Sequence, residues 1–226
     1  MAKSLIQITP RFSKKILRTV IFGAGGYAGE VLPLLQKRKD LNICLFVDVS
    51  PIQPAIAGIP VIAEKIFWEN FSLKDYDAAV VTLGDLFQRE KVFLKAEKAG
   101  LNMISHADPS AVVPAGTSIG AGTVIYPLAC VQTGVTLGKG VLLNAGCTIG
   151  HDTQIENFVT VNPGANVAGN VVLKKGSYVG IGANIIEKLT IGKNAVIGAG
   201  AAVINNIPDN VVAVGVPAKV VKKRGL

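Results

Sequence analysis

The sequence predicts an α/β domain followed by an all-β solenoid, a parallel β-helix built from hexapeptide repeats. Residues 18–105 alternate strand and helix patterns around a glycine-rich turn, which is typical of a Rossmann-like βαβ arrangement. Residues 113–203 repeat an aliphatic residue every six positions, a period that fits neither an α-helix nor a single strand. The chain of 226 residues is long enough for both parts.

The six-residue period is unbroken over sixteen positions, each of them Val, Ile or Leu: Val113, Ile119, Ile125, Val131, Leu137, Leu143, Ile149, Ile155, Val161, Val167, Leu173, Val179, Ile185, Ile191, Ile197 and Val203. A second series, four residues after each of these, is mostly small or β-branched and includes Cys147, Thr153 and Val159. Both series should point inward, with Gly, Asn, Asp and Lys at the corners. Three hexapeptides then close a triangular coil of eighteen residues, and the coils stack at about 4.8 Å.

In the α/β part, Asp85 should cap a helix, and Gly100 should end it. Pro33 is acceptable in the preceding helix only near its first turn, because proline lacks the N–H that a helix interior needs. The predicted elements are strands at 18–22, 43–47, 59–62, 77–83 and 101–105, and helices from the glycine-rich turn to residue 39 and at 85–98.

We predict four segments along the chain. Residues 1–17 form an N-terminal extension with no assigned role, and residues 18–106 form the Rossmann-like domain. The β-helix covers residues 107–210, and residues 211–226 form a C-terminal tail that contains the one cluster of basic residues.

Composition narrows the functional classes. The net charge is +8, which suits anionic ligands such as phosphates, but the basic residues are dispersed and only 6% of residues are aromatic, so nucleic acid is disfavoured. No apolar run reaches membrane-spanning length, and no signal peptide is evident. Three cysteines without metal or disulfide spacing predict a reducing cytoplasm, and Cys147 falls in the inward series as a packing residue.

The glycine-rich turn predicts a phosphate site. Gly23, Gly25 and Ala28 fit the dinucleotide fingerprint between a strand and a helix, and Asp48 ends the next strand, where a carboxylate can bond a ribose hydroxyl. The domain is small for a complete dinucleotide site, so a mononucleotide or nucleotide-sugar suits it better than NAD. A tight turn without any ligand is the alternative.

His151 is the candidate for catalysis. Ile149 and Thr153 take both inward positions of its hexapeptide, so the imidazole should project outward beside Asp152, a carboxylate that can fix its tautomer. Gly169, eighteen residues later, should lie one coil away on the same corner. A base beside a bare backbone N–H is the minimum equipment for acyl transfer. Asn144, at the preceding corner, could orient a substrate.

A zinc site is disfavoured. Some hexapeptide solenoids hold zinc with three histidines, but this chain has only two histidines. The other one, His106, lies at the domain junction and is expected to be a packing residue. No metal is therefore expected.

Four segments resemble the sugar O-acyltransferases of the sialic acid O-acetyltransferase type, and within them the bacterial UDP-4-amino-sugar N-acetyltransferases. They are Val20–Gly26, Asn144–Asp152, Pro163–Ala165 with Ala168–Asn170, and Val214–Lys219. The resemblance covers nearly everything after residue 17. It implies a left-handed β-helix, a homotrimer, acetyl-CoA lying between subunits, and a nucleotide-sugar held by the N-terminal domain.

The resemblance also implies roles for individual residues. His151 corresponds to the catalytic base, Asp152 to its acidic partner, and Gly169 to a backbone donor beside the thioester. Acetyl-CoA contacts are expected at Thr160, Gly169, Gly180, Ile181 and Thr190. Nucleotide contacts are expected at Ala24, Gly25, Gly26, Asp48 and Gly84. Many relatives carry a second histidine nine residues after the base, where this chain has Thr160.

Three functions follow from these observations. The preferred one is acetyl-CoA-dependent N-acetylation of a nucleotide-linked amino sugar for surface glycan or glycoprotein biosynthesis. O-acetylation of a sugar hydroxyl, as on sialic acid, would use the same machinery. A non-catalytic solenoid that serves binding or assembly is the alternative from another class.

Overall fold

The computed structural model describes residues 15–225, which divide between Ile104 and Ser105 into two compact units. Residues 1–14 of the predicted N-terminal extension, and Leu226, lie outside the described residues. The predicted fold class is confirmed, since a Rossmann-like α/β unit is followed by a left-handed parallel β-helix.

The first unit is a six-stranded sheet with three helices. Its strand order is β3-β4-β2-β1-β5-β6, and all neighbouring strands are parallel except the β3–β4 hairpin. Strands β2 and β1 form the centre, and all four residues of the neighbouring β5 are buried. The elements are β1 (Leu17–Phe22), α1 (Gly26–Gln36), β2 (Leu41–Asp48), β3 (Ala55–Ile56), β4 (Ile59–Ala63), α2 (Glu64–Glu69), β5 (Ala78–Val81), α3 (Leu86–Lys98) and β6 (Asn102–Met103).

The expectation for Pro33 was wrong. Pro33 lies inside α1, well beyond the first turn, and the helix ends at Gln36 rather than residue 39. An interior proline costs about 3 kcal/mol of helix stability. The helix buries an apolar face, including Val31 and Leu35, which lie on either side of Pro33 and are fully buried. Packing of this face against the sheet outweighs the local cost.

Helix α2 was not predicted, because six residues are too few to display a helical period. Tertiary contacts hold it in place. The buried ring of Phe67 packs edge-on against Phe22 of β1 at 5.3 Å, and Trp68 stacks on the same ring at 5.6 Å. The Trp68 indole N–H donates to Glu64 Oε1 at 2.9 Å within the helix.

Asp77, just before β5, closes a network of charged groups with the start of β1. Its carboxylate accepts from Arg18 Nε at 3.0 Å, from the Arg18 backbone N–H at 3.0 Å, and from Lys15 Nζ at 2.6 Å. Arg18 and then Lys15 hold the pKa of Asp77 well below its usual range. A carboxyl with a depressed folded-state pKa contributes stability above its unfolded pKa of about 3.9 and loses it as the pH falls toward the folded value.

We therefore expect Asp77→Asn to lower the Tm at neutral pH, with the gap from wild type shrinking steadily below about pH 4. Thermal unfolding of both proteins across this pH range measures the gap. Asp75→Asn is the matched control, because Asp75 has no ion pair among the described residues, and its gap should be small throughout. A gap for Asp77→Asn that stays constant down to acid pH would contradict the ion-pair explanation.

The second unit is a three-faced prism. Face one contains β8, β11, β14, β17 and β20; face two contains β7, β9, β12, β15, β18, β21, β23 and β24; face three contains β10, β13, β16, β19 and β22. The strands are β7 (His106–Ala107), β8 (Ser118–Ile119), β9 (Val124–Ile125), β10 (Cys130–Val131), β11 (Thr136–Leu137), β12 (Leu142–Leu143), β13 (Thr148–Ile149), β14 (Gln154–Ile155), β15 (Thr160–Val161), β16 (Asn166–Val167), β17 (Val172–Leu173), β18 (Tyr178–Val179), β19 (Asn184–Ile185), β20 (Thr190–Ile191), β21 (Val196–Ile197), β22 (Ala202–Val203), β23 (Val211–Val214) and β24 (Lys219–Lys223).

The eighteen-residue coil is confirmed by the strand register. Cys130 pairs with Thr148, Thr148 with Asn166, and Asn166 with Asn184, each a step of eighteen. Both inward series fill the core, and Leu143, Ile149 and Thr153 are fully buried. Cys147 lies among them, and burial raises the pKa of its thiol to about 12.

The C-terminal segment closes the prism. Strand β23 extends face two in parallel, and β24 pairs with it in antiparallel fashion. The turn between them contacts the last strand of face three, because the Ala218 N–H donates to Ala202 O at 2.7 Å. Within residues 15–225, no helix is both long and apolar enough to cross a membrane.

Candidate active site

His151 lies at the corner between faces three and one, which we call the histidine corner (residues 132–135, 150–153, 168–171 and 186–189). The inward positions on either side, Ile149 and Thr153, are fully buried, whereas the His151 side chain is 56% exposed. The imidazole therefore projects outward, as the hexapeptide pattern predicts.

Asp152 holds the imidazole from one side. Its Oδ2 lies 2.9 Å from His151 Nδ1, a hydrogen bond that leaves Nε2 directed away from the carboxylate. Gly134, one coil earlier, makes this geometry possible, because a Cβ there would collide with Asp152 Oδ1. Gly134 also has φ +76°, a conformation that favours glycine.

Gly169 lies directly against the other side of the ring. A Cβ on Gly169 would be 2.5 Å from His151 Nε2, so the ring edge occupies the space that a side chain would need. The Gly169 N–H donates to no acceptor in the described part of the chain. The structure thus brings together an imidazole nitrogen and an open backbone donor, which the coil spacing predicts.

Gln132 fixes the backbone beneath the imidazole. Its Oε1 accepts from the His151 N–H at 3.0 Å. Because this oxygen is the acceptor, the side-chain NH2 group is the end that remains for other partners. Gln132 lines a groove of about 420 Å³ along face three, together with Gly150, Gly169, Ile186 and Glu187.

Asn144 lies at a different corner, between faces two and three. Its side-chain amide is buried and donates to Val161 O at 3.0 Å, one coil away. Asn162 repeats this bond with Val179 O at 2.7 Å. The arrangement links successive coils and gives Asn144 a structural role beside its predicted one.

The predicted acetyl-CoA residues are spread around the prism. Gly169 is at the histidine corner, and Gly180 and Ile181 are at the corner between faces two and three, with Ile181 59% exposed. Thr160 is on face two and Thr190 on face one. A single chain therefore brings Gly169, Gly180 and Ile181 to the two edges of face three, whereas Thr160 and Thr190 lie outside it.

The predicted nucleotide residues converge at one edge of the first unit. After β1 the chain forms β2, β3 and β4 on one side of that strand, and it then crosses to β5 on the other side. The carboxyl ends of β1 and β5 therefore flank a topological switch point, the usual ligand crevice of such sheets. The turn Ala24–Gly26 follows β1, and Gly84 follows β5. Gly23 allows the turn, because a Cβ would be 2.8 Å from Thr82 O.

The Asp48 carboxylate bonds backbone N–H groups at this edge. Its Oδ2 accepts from the Ala24 N–H at 2.8 Å and its Oδ1 from the Ser50 N–H at 3.0 Å. The carboxylate thus fixes the glycine-rich turn. An acceptor oxygen has two lone pairs, so these bonds leave capacity for the predicted ribose contact.

Two helices direct the positive ends of their dipoles at the same crevice. Helix α1 begins at Gly26 and α3 at Leu86, so the N-termini of both helices face it. Arg89, in the first turns of α3, is buried, and burial lowers the pKa of its guanidinium to about 10, with Tyr27 and Asp85 nearby. A cation that remains charged at neutral pH favours an anionic ligand.

Metal ligation is not supported at either site. Within the described residues 15–225, no three His, Cys, Asp or Glu side chains are grouped so that they could hold a metal ion.

Two sequence families match the chain. The family described as PglD N-terminal domain matches residues 18–96, and the family described as bacterial transferase hexapeptide (six repeats) matches residues 116–151. No curated protein sequence matches significantly. The β-helix and its histidine corner, together with these matches, define an acyltransferase of the hexapeptide class.

Solved structures narrow the class. The acetyltransferase domain of PglB from Neisseria gonorrhoeae FA1090 is 31% identical with a TM-score of 0.84, and the match covers 90% of this chain and 99% of that one. A histidine variant of perosamine N-acetyltransferase from Caulobacter crescentus, in complex with CoA and GDP-perosamine, is 28% identical with a TM-score of 0.86, covering 91% and 97%. WeeI from Acinetobacter baumannii AYE is 28% identical with a TM-score of 0.81, covering 90% and 99%. The chain belongs to the family of hexapeptide acetyltransferases that carry a PglD N-terminal domain.

Three residues of the site were not identified from the sequence: Gln132, Gly134 and Gly150. The signal was available in the coil length. Gly134 is eighteen residues before Asp152, and Gln132 is nineteen before His151, so counting backward as well as forward from His151 would have found both.

Proposed function

We propose that the protein transfers an acetyl group from acetyl-CoA to the amine of a sugar linked to a nucleoside diphosphate. The observation that carries this proposal is the position of His151 Nε2 against Gly169, with Asp152 on the opposite ring nitrogen. A base and an open N–H within one coil of each other suit acyl transfer.

In this mechanism, the acceptor amine attacks the thioester carbonyl carbon, and His151 Nε2 takes the proton that the amine loses. A C–N bond forms, and negative charge develops on the carbonyl oxygen, where the Gly169 N–H stabilises it. Collapse of this intermediate breaks the C–S bond. The CoA thiolate leaves and receives the proton from His151, while Asp152 stabilises the imidazolium through Nδ1.

The nucleotide is assigned to the switch-point crevice of the first unit, with phosphate at the Ala24–Gly26 turn and the N-terminus of α1. Asp48 and Gly84 complete the contacts. The sequence resemblance favours a UDP-linked 4-amino sugar, whereas the perosamine N-acetyltransferase structure contains a GDP-linked one. Both nucleotides are therefore candidates.

We also propose a homotrimer in the cytoplasm. The residues expected to contact acetyl-CoA lie on different faces of one prism, and a groove that runs along a single face has only one wall. Packing prisms side by side supplies the second wall from a neighbouring copy. Surface glycan or glycoprotein biosynthesis would use the acetylated product.

O-acetylation of a sugar hydroxyl, as on sialic acid, is the second candidate, because a hydroxyl nucleophile needs the same base and the same N–H donor. A non-catalytic solenoid is disfavoured, because the His151–Asp152 pair lies outward at a groove rather than serving the core.

An acceptor panel tests the proposal. The purified protein is incubated with acetyl-CoA and, separately, a UDP-linked 4-amino sugar, a GDP-linked 4-amino sugar, free sialic acid and CMP-sialic acid. We expect CoA thiol release and an N-acetylated product with one of the two nucleotide amino sugars. Release only with the sialic acids would favour O-acetylation, and failure to bind acetyl-CoA in calorimetry would favour the binding module.

A further inference from the structure

Two corner amides of the solenoid are capped by the side chain nineteen residues earlier, in the preceding coil. Gln132 Oε1 accepts from the His151 N–H at 3.0 Å, and Glu156 Oε2 accepts from the Lys175 N–H at 2.8 Å. Each pair is nineteen residues apart, one coil plus one residue, so the acceptor is stacked on the amide. The residue at this position therefore decides whether the amide nineteen residues later is capped or open.

Gly150 is nineteen residues before Gly169 and therefore occupies the capping position for its amide. A Cβ on Gly150 would lie 2.4 Å from both Ala168 C and Gly169 N, so any side chain at this position would press on the peptide group that carries the Gly169 N–H. Gly138 has the same relation to Asn157, whose N would be 2.6 Å from the added Cβ. At both positions, glycine provides no acceptor.

The backbone of this coil leaves no room for a side chain at position 150, because the Cβ would lie 2.4 Å from two backbone atoms of the next coil. The hexapeptide repeat as such does accept a side chain here. Along the histidine corner, the equivalent position in other coils holds Gln132, Ala168 and Ile186, and the strands on either side keep their register. What distinguishes the coil of Gly150 is the imidazole of His151 beside it and the open N–H of Gly169 below it.

We propose that Gly150 is a positioning residue that keeps the Gly169 N–H uncapped, so that this N–H can receive the oxyanion of the acyl-transfer step. This inference rests on the proposed function and adds a determinant to it. The glycine acts through Gly169: it donates nothing itself, but a polar side chain in its place would occupy the donor that the developing negative charge needs.

The test places a glutamine, the residue that caps the His151 N–H, at the position that would cap the Gly169 N–H. In Gly150→Gln, the Ala168–Gly169 peptide has to shift to admit the new Cβ, and the amide oxygen should then accept from the Gly169 N–H as Gln132 Oε1 does from the His151 N–H. We expect kcat to fall by roughly 10²–10³-fold, the usual cost of losing one oxyanion donor, with little change in the KM for acetyl-CoA. Hydrogen exchange at the Gly169 amide, followed by NMR, should slow. Gly150→Ala introduces the same Cβ, and therefore the same shift of the Ala168–Gly169 peptide, but no acceptor. It should lose less activity and leave exchange at Gly169 faster than in Gly150→Gln.

Gly138→Gln is the matched control, because it makes the same change at the equivalent position of another corner. It should slow exchange at Asn157 and leave kcat near wild type.

Wild-type kcat in Gly150→Gln despite slowed exchange at Gly169 would overturn the proposal. Unchanged exchange at Gly169 would also overturn it, because the capping relation itself would then be wrong. Equal losses of kcat in Gly150→Gln and Gly150→Ala would assign Gly150 a packing role instead. If the wild type transfers no acetyl group to any acceptor, the proposed function fails, while the exchange data still report whether Gly150 leaves the amide open.

Discussion

Replacing His151 with alanine should lower kcat by roughly 10²–10⁴-fold, the range expected when a general base is lost. The imidazole is more than half exposed and contributes no core packing, so the variant should unfold at nearly the wild-type temperature. Steady-state kinetics with acetyl-CoA and the acceptor identified in the panel provide the measurement. Binding of acetyl-CoA, measured by calorimetry, should persist.

Asp152→Asn tests how much the carboxylate of Asp152 contributes to the activity of the base, His151. The amide can still bond Nδ1, but it removes the charge that stabilises an imidazolium, so we expect a loss of kcat smaller than in His151→Ala. Gln154→Ala is the surface control, because Gln154 is exposed on the neighbouring face and its side chain makes no hydrogen bond to the histidine corner in the described structure. Turnover near wild type in His151→Ala would show that His151 is not the base.

Gly169→Ala should be nearly as damaging as loss of the histidine. The added methyl would lie 2.5 Å from His151 Nε2, closer than any real contact, and the neighbouring atoms belong to a side chain that can rotate away. The ring should therefore move off its position while the fold survives. A small misplacement of a reacting group can cost roughly 10²-fold in rate. We expect kcat to fall by that order, with a Tm close to wild type.

The double variant decides whether the two changes act through one group. If Gly169→Ala works by displacing the imidazole, it should add almost nothing to the loss already caused by His151→Ala, because residues that act as a unit are not additive. Kinetics of the wild type, both single variants and the double variant complete the cycle. Losses that simply multiply would mean that Gly169 is needed for a reason separate from the position of the ring.

Much of the fold follows from local patterns. The six-residue period predicts which side chains face inward, and the register of eighteen residues per coil in the structure agrees with it. The helix capped by Asp85 was predicted because its cap is a local bond, in which the Gln88 N–H donates to Asp85 Oδ1 at 2.8 Å. The elements that were missed, α2 and β3, are short, and non-local packing holds α2, as the contacts of Phe67 with Phe22 illustrate. Pro33 shows the same principle, since burial of one helix face overrides an unfavourable local residue.

The sequence by itself determined the solenoid, the outward direction of His151 and its pairing with Gly169, because all three depend on counting residues along a regular repeat. Other details of the site depend on contacts that the spacing of the repeat does not predict, and only the tertiary structure shows them. It showed that Asp48 fixes the glycine-rich turn, that Asn144 bonds the next coil, and that Gly134 makes room for Asp152. It also showed that the Gly169 N–H has no acceptor among residues 15–225. The physical reason is that hydrogen bonds and close approaches join residues far apart in the chain, and their geometry is set only when neighbouring coils and strands are packed together.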